Sequence, residues 1–600
     1  MSKNKNKTFA RLIYGFRKAF SLLPSKKDRI MVLWLWIAYL ASYGITMIQP
    51  LLQMWIVDGA ASLMTDNAQY YLLAISLVVM VFTMLLDFYI RKNMNVWSTN
   101  ASSIIEDSIT GELMKKSAKI EYKYFEEKTT YDKLVNISGN VPRKIADLLT
   151  WSTVPPIVGG FICLLYTTIT LCMISPIVAI LVAIGNILSI VFYGMRMKDN
   201  YYLKKSQIPQ LRFADSYWNT ITEKSTQKEV KSFSLLDFLC MRWRLYSKEV
   251  SKQNFKFSCK YSIRLFISDV CSIIFKGTAL GYTLFLIINE NFLIGSFVLV
   301  YGSISVFSGY MSDISRAFIN LGENGRYIDD WISYMDLTEE VENISQVDYS
   351  NINIEFKDVS FKYPHSEKWA LKHLNLNINT GEHIAIVGEN GCGKSTFVAL
   401  LMGLYDDYSG EILVNGVSLR GNVQSFRDKT ACLFQDFNTY DFSIKENVKI
   451  GDVHKAISDE DIICALEKAG AADFVNDLAK GMDENIGVFG DKGQDLSGGQ
   501  WQKIAIARTM IKKDASLVIM DEPTAALDPY SESVIYREFL RNYDNRTSIL
   551  ISHRLGATVM ADRILVFNQG YVAEEGTHAQ LMNLNGIYHA MYQAQSEWYQ

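Results

Sequence analysis

The sequence lacks the marks of a metal-clustered, disulfide-stapled or nucleic-acid-binding protein. Its eight cysteines (Cys163, Cys172, Cys240, Cys259, Cys271, Cys392, Cys432 and Cys464) show no paired metal-ligand spacing. They fall in apolar spans, basic loops and the carboxy-terminal region, and read as reduced thiols facing membrane or cytoplasm. Net charge is nearly absent, at −3 over 600 residues, so no overall cationic excess points to nucleic acid. The amino terminus has no small-residue cleavage site, which excludes a secretory signal peptide. Two segments, 58–69 and 289–291, contain neither Lys nor Arg.

What the chain has is apolar length: 49% of its residues are hydrophobic, which is high for a soluble protein, and 600 residues imply more than one domain. Residues 30–57 are almost uninterrupted apolar and aromatic side chains, enough for the roughly 20 helical residues that cross a hydrocarbon core. Comparable runs cover 70–90, 151–174, 177–195, 262–288 and 292–311, with Pro176 at the tight turn between the third and fourth. The loops without Lys or Arg face outward. The basic loops 91–144 and 196–260 stay in the cytoplasm, and both termini with them.

Both basic loops are too long for turns and contain helix-compatible sequence, so the membrane helices are expected to continue well beyond the bilayer. Amphipathic segments at 122–134 and 223–236 are candidates for docking on the carboxy-terminal domain; solvated helix ends are the equal alternative. Near the start, Phe9, Leu12, Ile13, Phe16 and Phe20 share a helical face beside Arg11, Arg17 and Lys18, the pattern of a helix lying on the inner membrane surface. Asp269 and Lys276 stand about two turns apart inside the fifth span, where ionisable groups line a cavity or join helices. They are the candidate cavity residues, with a purely structural pairing as the alternative.

The boundaries expected from these patterns are an amino-terminal segment 1–29, a membrane domain 30–328, a polar linker 329–350 and an α/β domain 351–600. In the last of these, the apolar strand 383–387 runs into Gly388-Glu389-Asn390-Gly391-Cys392-Gly393-Lys394-Ser395-Thr396, and 397–402 reads as a helix. That is a P-loop in its strand, loop and helix setting. Glycines let backbone N–H groups approach phosphate oxygens, and the new helix points its positive end at the same anion. Lys394 is expected to reach the β- and γ-phosphates, and Ser395 to hold Mg²⁺.

Downstream, the apolar run 517–520 delivers Asp521 and Glu522 at its carboxyl end, where chemistry collects in open α/β sheets. Asp521 is assigned to the metal through its water shell, and Glu522 to orienting and deprotonating a lytic water. A second strand, 548–552, ends at His553, placed to contact the γ-phosphate and that water. A capping box, Ser458 with Asp461, opens a helix in the intervening segment. That segment ends in Leu496-Ser497-Gly498-Gly499-Gln500, a glycine-rich helix start and hence a second phosphate cradle. Two cradles for one nucleotide imply that the second serves a partner subunit.

With Leu496 to Gln500 present, the chain resembles the ABC transporters over nearly its whole length, in the exporter arrangement of six membrane helices fused ahead of the ATPase. The resemblance implies ATP and Mg²⁺ as ligands and a homodimer in which ATP lies between Lys394 and the partner subunit's Ser497. It implies that Tyr363 stacks on adenine, that Gln435 links Mg²⁺ and the lytic water to the membrane domain, and that Asp528, in Ala526-Leu527-Asp528, contacts the opposite ATPase. The stretch Gly490-Asp491-Lys492-Gly493 is similar to the exporter cross-communication segment, with Asp where Glu is usual. Cys392 stands where many members have Ser, so thiol alkylation is expected to block turnover unless nucleotide protects.

Residues 433–437 with 444–447, and 496–503 with 521–529, resemble exporters of lanthionine-containing peptides and other bacteriocins, of the nisin-transporter type. This implies a modified-peptide cargo, modification enzymes and membrane lipid as partners, and a bacterial cytoplasmic membrane. No leader-peptidase domain precedes the first span, so cargo is expected to cross with its leader attached or to be trimmed elsewhere. A multidrug or lipid exporter is the runner-up, and a nucleotide-gated regulator a more distant one, because a switch has no need of the general base offered by Glu522.

Overall fold

The computed structural model describes residues 14–63, 70–127, 130, 137, 141–224, 226–290, 292–340, 348–364, 366–487, 495–523, 536–537 and 546–597. The chain forms two compact units, residues 1–118 with 132–337, and residues 119–131 with 338–600.

The first unit is built from six long helices: α1 (Lys26–Ser62), α2 (Tyr70–Ser117), α3 (Val154–Ile174), α4 (Pro176–Thr222), α5 (Leu236–Glu290) and α6 (Gly295–Met335). Six helices among the described residues are long and apolar enough to cross a membrane, and each expected span overlaps one of them, the sixth starting at Gly295 rather than 292. At 48 residues α2 is about 72 Å long, more than twice the hydrocarbon thickness, so it continues far past any bilayer. α6 runs on to Met335, so the first part of the segment expected to be a linker is helix.

The helices meet where side chains are small. A Cβ on Gly302 would come 2.9 Å from Cβ of Pro50, and one on Gly160 would meet Ile314 at 2.7 Å. Helix packing without a hydrophobic driving force depends on such close approach. Asp58 accepts a 2.7 Å hydrogen bond from Gly295 N–H and so caps α6 with the end of α1. The amino-terminal segment is helical from Tyr14. It buries Ala19 and Leu23 and lays Lys18 over the Trp331 ring of α6, 5.3 Å from its centroid. Phe9, Leu12 and Ile13 lie outside the described residues.

The second unit carries two sheets. The smaller is antiparallel: β1 (Ile354–Phe361), β2 (Leu371–Ile378), β4 (Ser409–Val414) and β5 (Val417–Ser418), in the order β2-β1-β4-β5. The larger contains β3 (His383–Gly388), β6 (Thr430–Leu433), β7 (Leu517–Asp521), β8 (Thr547–Ile551), β9 (Arg563–Asn568) and β10 (Tyr571–Gly576), ordered β10-β9-β3-β8-β7-β6. All its pairings are parallel except that of β10 with β9. β7 and β8 are buried at every residue, which is why both read as unbroken apolar runs.

Helix α7 (Lys394–Leu401) follows β3 and presses Phe397 between the two sheets, its ring 4.9 Å from Phe356 and 5.8 Å from Phe567. Helix α8 (Gly498–Met510) begins at Ser497, which forms a reciprocal capping box with Gln500. The expected box at Ser458 and Asp461 is also formed, opening the helix Asp459–Lys468.

Residues 119–131, from the loop that joins α2 to α3 in sequence, pack on the second unit. Ile120 pairs with Glu339, Tyr405 O–H donates to Glu126, and Lys123 reaches Asp407 at 3.2 Å. The aromatic side of the amphipathic pattern is therefore the docked side, with Tyr122 edge-on to Tyr405 at 5.7 Å. The other amphipathic segment, around 223–236, belongs to the first unit.

Phe397 is completely buried, and Phe397→Ala should cost the carboxy-terminal domain about 3–5 kcal/mol. Urea denaturation followed by far-UV circular dichroism measures this; a loss below about 1 kcal/mol would contradict the packing described.

Candidate functional site

The loops after β3, β6, β7 and β8 open on one cleft of about 380 Å³, lined among others by Tyr363, Trp369, Lys394, Gln435, Glu522 and His553. The sheet register brings them there, since Ile386 pairs with Ile551, and Ile551 with Asp521. Catalytic groups from distant parts of the chain thus leave the same edge of the sheet.

The phosphate cradle has the backbone its glycines predict. Gly388, Gly391 and Gly393 have φ of 150°, 77° and 114°. A Cβ on Gly388 would fall 2.3 Å from the Phe567 carbonyl oxygen, so only glycine fits. Glu389 and Asn390 are exposed on the loop, and Thr396 is buried in the first turn of α7. Lys394 is buried and donates to the carbonyls of Gly388 (2.9 Å) and Glu389 (3.0 Å). Its ammonium is held inside the loop it would share with phosphate oxygens, and can exchange these neutral acceptors for charged ones.

The exposed Ser395 hydroxyl lies beside Asp521. Asp521 is 2% exposed, and its Oδ1 has no hydrogen-bond partner. Burial, with Glu522 adding to it, pushes the Asp521 carboxyl up to about 6 from an ordinary 3.8, against the opposing influence of the Ser395 hydroxyl. Because the folded value is raised, this group favours the fold most below about pH 4 and costs stability as pH rises through about 6. A cation beside it would remove that cost. An orphaned buried carboxylate oxygen next to a serine hydroxyl fits Mg²⁺, with Ser395, Asp521 and Gln435 as the groups that would hold it.

Glu522 stands at the centre of the polar contacts. Gln435 Nε2 donates to its Oε2 (3.0 Å), and His553 Nε2 lies 2.6 Å from its Oε1. Its backbone has φ 48°, the left-handed region that a glutamate enters at a cost of about 1–3 kcal/mol. The Glu522 N–H donates to Ile551 O (3.0 Å), which anchors this turn to the neighbouring strand.

Tyr363 is half-buried, with its hydroxyl 2.9 Å from the Thr396 hydroxyl and its ring edge-on to Tyr405 at 5.5 Å. Its ring borders the cleft where a base would stack. Trp369, which the sequence reading missed, lines the same cleft with Lys362 Nζ 4.3 Å above its ring centroid. The available signal was a second aromatic six residues after Tyr363, ahead of β2.

Leu496, Ser497, Gly498, Gly499 and Gln500 do not border this cleft. They form the start of α8, with Ser497 and Gly498 exposed, leaving a cradle open for another molecule. Asp528 and residues 490–493 lie outside the described residues. Cys392 is buried and burial pushes its thiol up, both of which oppose the alkylation expected to block turnover.

The first unit holds a separate polar cleft of about 480 Å³ between α1, α2 and α6, with Tyr39, Tyr43, Arg91, Tyr310 and Asp313 among its walls. Asp87 accepts from Ser42 Oγ (2.7 Å) and Arg91 Nε (2.7 Å). Tyr43 O–H donates to Asp313 (3.2 Å), which also pairs with Arg316. Asp269 is exposed and Lys276 half-buried on α5, and neither borders this cleft. The sequence reading missed Arg91 because it took this residue as the start of a basic loop.

Residues 371–525 match the family model described as ABC transporter. The chain is 29% identical over 489 residues to the subtilin transport ATP-binding protein SpaT of Bacillus subtilis, covering 80% of this chain and 78% of that protein. It is 37% identical over 290 residues to the ABC multidrug transporter atrD of Emericella nidulans, 48% of this chain but 21% of that one. Its fold matches the solved structure of a bacterial Atm1-family ABC exporter with ATP bound, with a TM-score of 0.83 at 20% identity, over 94% of this chain and 98% of that one.

Glu522→Gln should retain ATP affinity within about threefold while lowering turnover by about a hundredfold or more, because the amide cannot take a proton from water. Nucleotide titration and phosphate release measure the two effects; wild-type turnover in the variant would remove Glu522 from its assigned role.

Proposed function

The chain is an ATP-hydrolysing ABC exporter, a membrane domain fused ahead of its ATPase, and from that premise we propose that it works as a homodimer moving a modified peptide precursor out of a bacterial cytoplasm. One observation carries the cargo class. The similarity to the subtilin transport protein spans 489 residues, more than the 250 residues from 351 to 600, and so extends into the membrane half where cargo is selected. The polar cleft in the first unit supports the same reading. Its Arg91 and Asp313 side chains offer a charge of each sign to a ligand that brings both, as a peptide does.

In this reading ATP lies between the P-loop and the partner subunit's Ser497. Lys394 leaves the Gly388 and Glu389 carbonyls for the β- and γ-phosphate oxygens, and Tyr363 stacks on the base. Mg²⁺, when bound, neutralises phosphate charge and polarises the bond that breaks. Glu522 takes the proton of the lytic water while His553 and Gln435 hold its carboxylate in position. Closure of the two ATPases is transmitted by the cytoplasmic loops, of which 119–131 is one, and hydrolysis resets the site. The membrane domain must then have two states that differ in their affinity for the closed ATPases.

The test is ATP hydrolysis by the full chain in lipid nanodiscs with leader-bearing peptides, drug cations or lipids. Leader-bearing peptides should raise turnover about fivefold or more, and Arg91→Gln or Asp313→Asn should weaken half-saturation by peptide about tenfold. Stimulation by drugs or lipids alone would overturn the peptide assignment and favour the multidrug alternative.

A further inference from the structure

The last helix, α9 (Ile587–Glu597), reaches the backbone of the loop that carries His553. The Gln595 amide Nε2 donates to the carbonyl oxygen of His553, and its Oε1 accepts from the backbone N–H of Leu555 at 2.9 Å. Leu555 opens the four-residue helix Leu555–Thr558, too short to satisfy its own first N–H groups. One half-buried side chain therefore grips the backbone on both sides of Arg554 and uses both ends of its amide to do so.

The grip is only as good as the element behind it, and α9 is firmly held. Tyr588 is fully buried, with its hydroxyl 2.8 Å from His578 Nδ1 and 3.1 Å from Thr558 Oγ1. The Glu574 carboxylate accepts from the N–H groups of Ile587 and Tyr588 at the start of the helix. At the other end of the chain of contacts, the His553 ring meets Glu522 Oε1 at 2.6 Å. The path from α9 to the general base thus consists of one side-chain amide, one loop and one imidazole.

We propose that Gln595 is a positioning residue for ATP hydrolysis: by clamping the His553 carbonyl and the Leu555 N–H, it sets the direction from which the imidazole meets Glu522 and the γ-phosphate. The proposal rests on His553 making that contact. Without the clamp both backbone groups turn to water and the loop gains freedom. A misplacement of about 1 Å at a reacting group costs about a hundredfold, so a partial loss of aim is worth about tenfold in turnover. ATP binding itself depends on the P-loop, which Gln595 does not touch, so KM changes little.

The experiment is steady-state ATP turnover by the full chain in lipid nanodiscs. Gln595→Ala should lower kcat about tenfold with KM for ATP within about twofold, and Gln595→Glu, which keeps the acceptor and loses the donor, should fall between it and wild type. Gln593→Ala, on the exposed face of the same helix and outside the clamp, should keep kcat within about twofold. If Gln595→Ala is not recovered folded, Gln595→Glu reads the same contact. A kcat for Gln595→Ala within about twofold of wild type, or a parallel loss in Gln593→Ala, overturns the clamp. His553→Ala separates the two levels: full turnover there removes the premise and the proposal with it, whereas low turnover there beside wild-type turnover in Gln595→Ala overturns the clamp alone.

Discussion

Ile551 of β8 has Ile386 of β3 on one side and Asp521 of β7 on the other, and the rest of the site follows from that row. Two residues beyond the Ile386 pairing the chain enters the phosphate loop; one residue past Asp521 comes Glu522; two past Ile551 comes His553. A slip of one residue in either pairing would exchange the faces of every following side chain and separate groups that now sit 2.6 Å apart. The unbroken burial of β7 and β8 holds the register, and the left-handed turn at Glu522 is tolerated because Ile551 accepts its N–H.

The second unit also takes in 13 residues, Lys119–Tyr131, from the membrane half of the sequence. They are fastened by the polar contacts of Lys123 and Glu126 and, just ahead of these, by Tyr122 against Tyr405, and Tyr405 in turn lies edge-on to Tyr363 beside the cleft. A chain of three tyrosine rings therefore runs from a loop of the membrane half to the expected adenine platform. Arg427, which pairs with Glu340 and donates to the Met402 and Gly403 carbonyls, ties the chain just beyond α6 to the same region. These contacts are short-ranged and directional, which suits the transmitting role proposed for this loop.

In the membrane half Asp87 and Arg91 of α2 and Asp313 and Arg316 of α6 stand beside α1, each acid within reach of a base or a hydroxyl. Lone charges there would carry a heavy desolvation cost; paired ones form a polar wall that can exchange partners. Gly159, against Tyr43, and Gly160, against Ile314, let α3 come close enough to hold that wall.

Six apolar runs, the alternation of basic and Lys/Arg-free loops, the P-loop, the acidic strand end and the signature are all local patterns, and local patterns are what a sequence displays. They determined the fold class and singled out Lys394, Ser395, Asp521, Glu522 and His553 as candidates, because each is defined by neighbours a few residues away. What only the tertiary structure decided depends on partners far apart in the chain. Arg91 and Asp313 belong to one polar cleft although 222 residues separate them, while Asp269 and Lys276, conspicuous in sequence, lie outside it. Trp369 enters the cleft because β2 starts where it does, and Cys392 is closed off by burial that no motif records. Gln595 meets His553 across 42 residues through an amide no pattern would single out, since its value lies wholly in the backbone groups it touches.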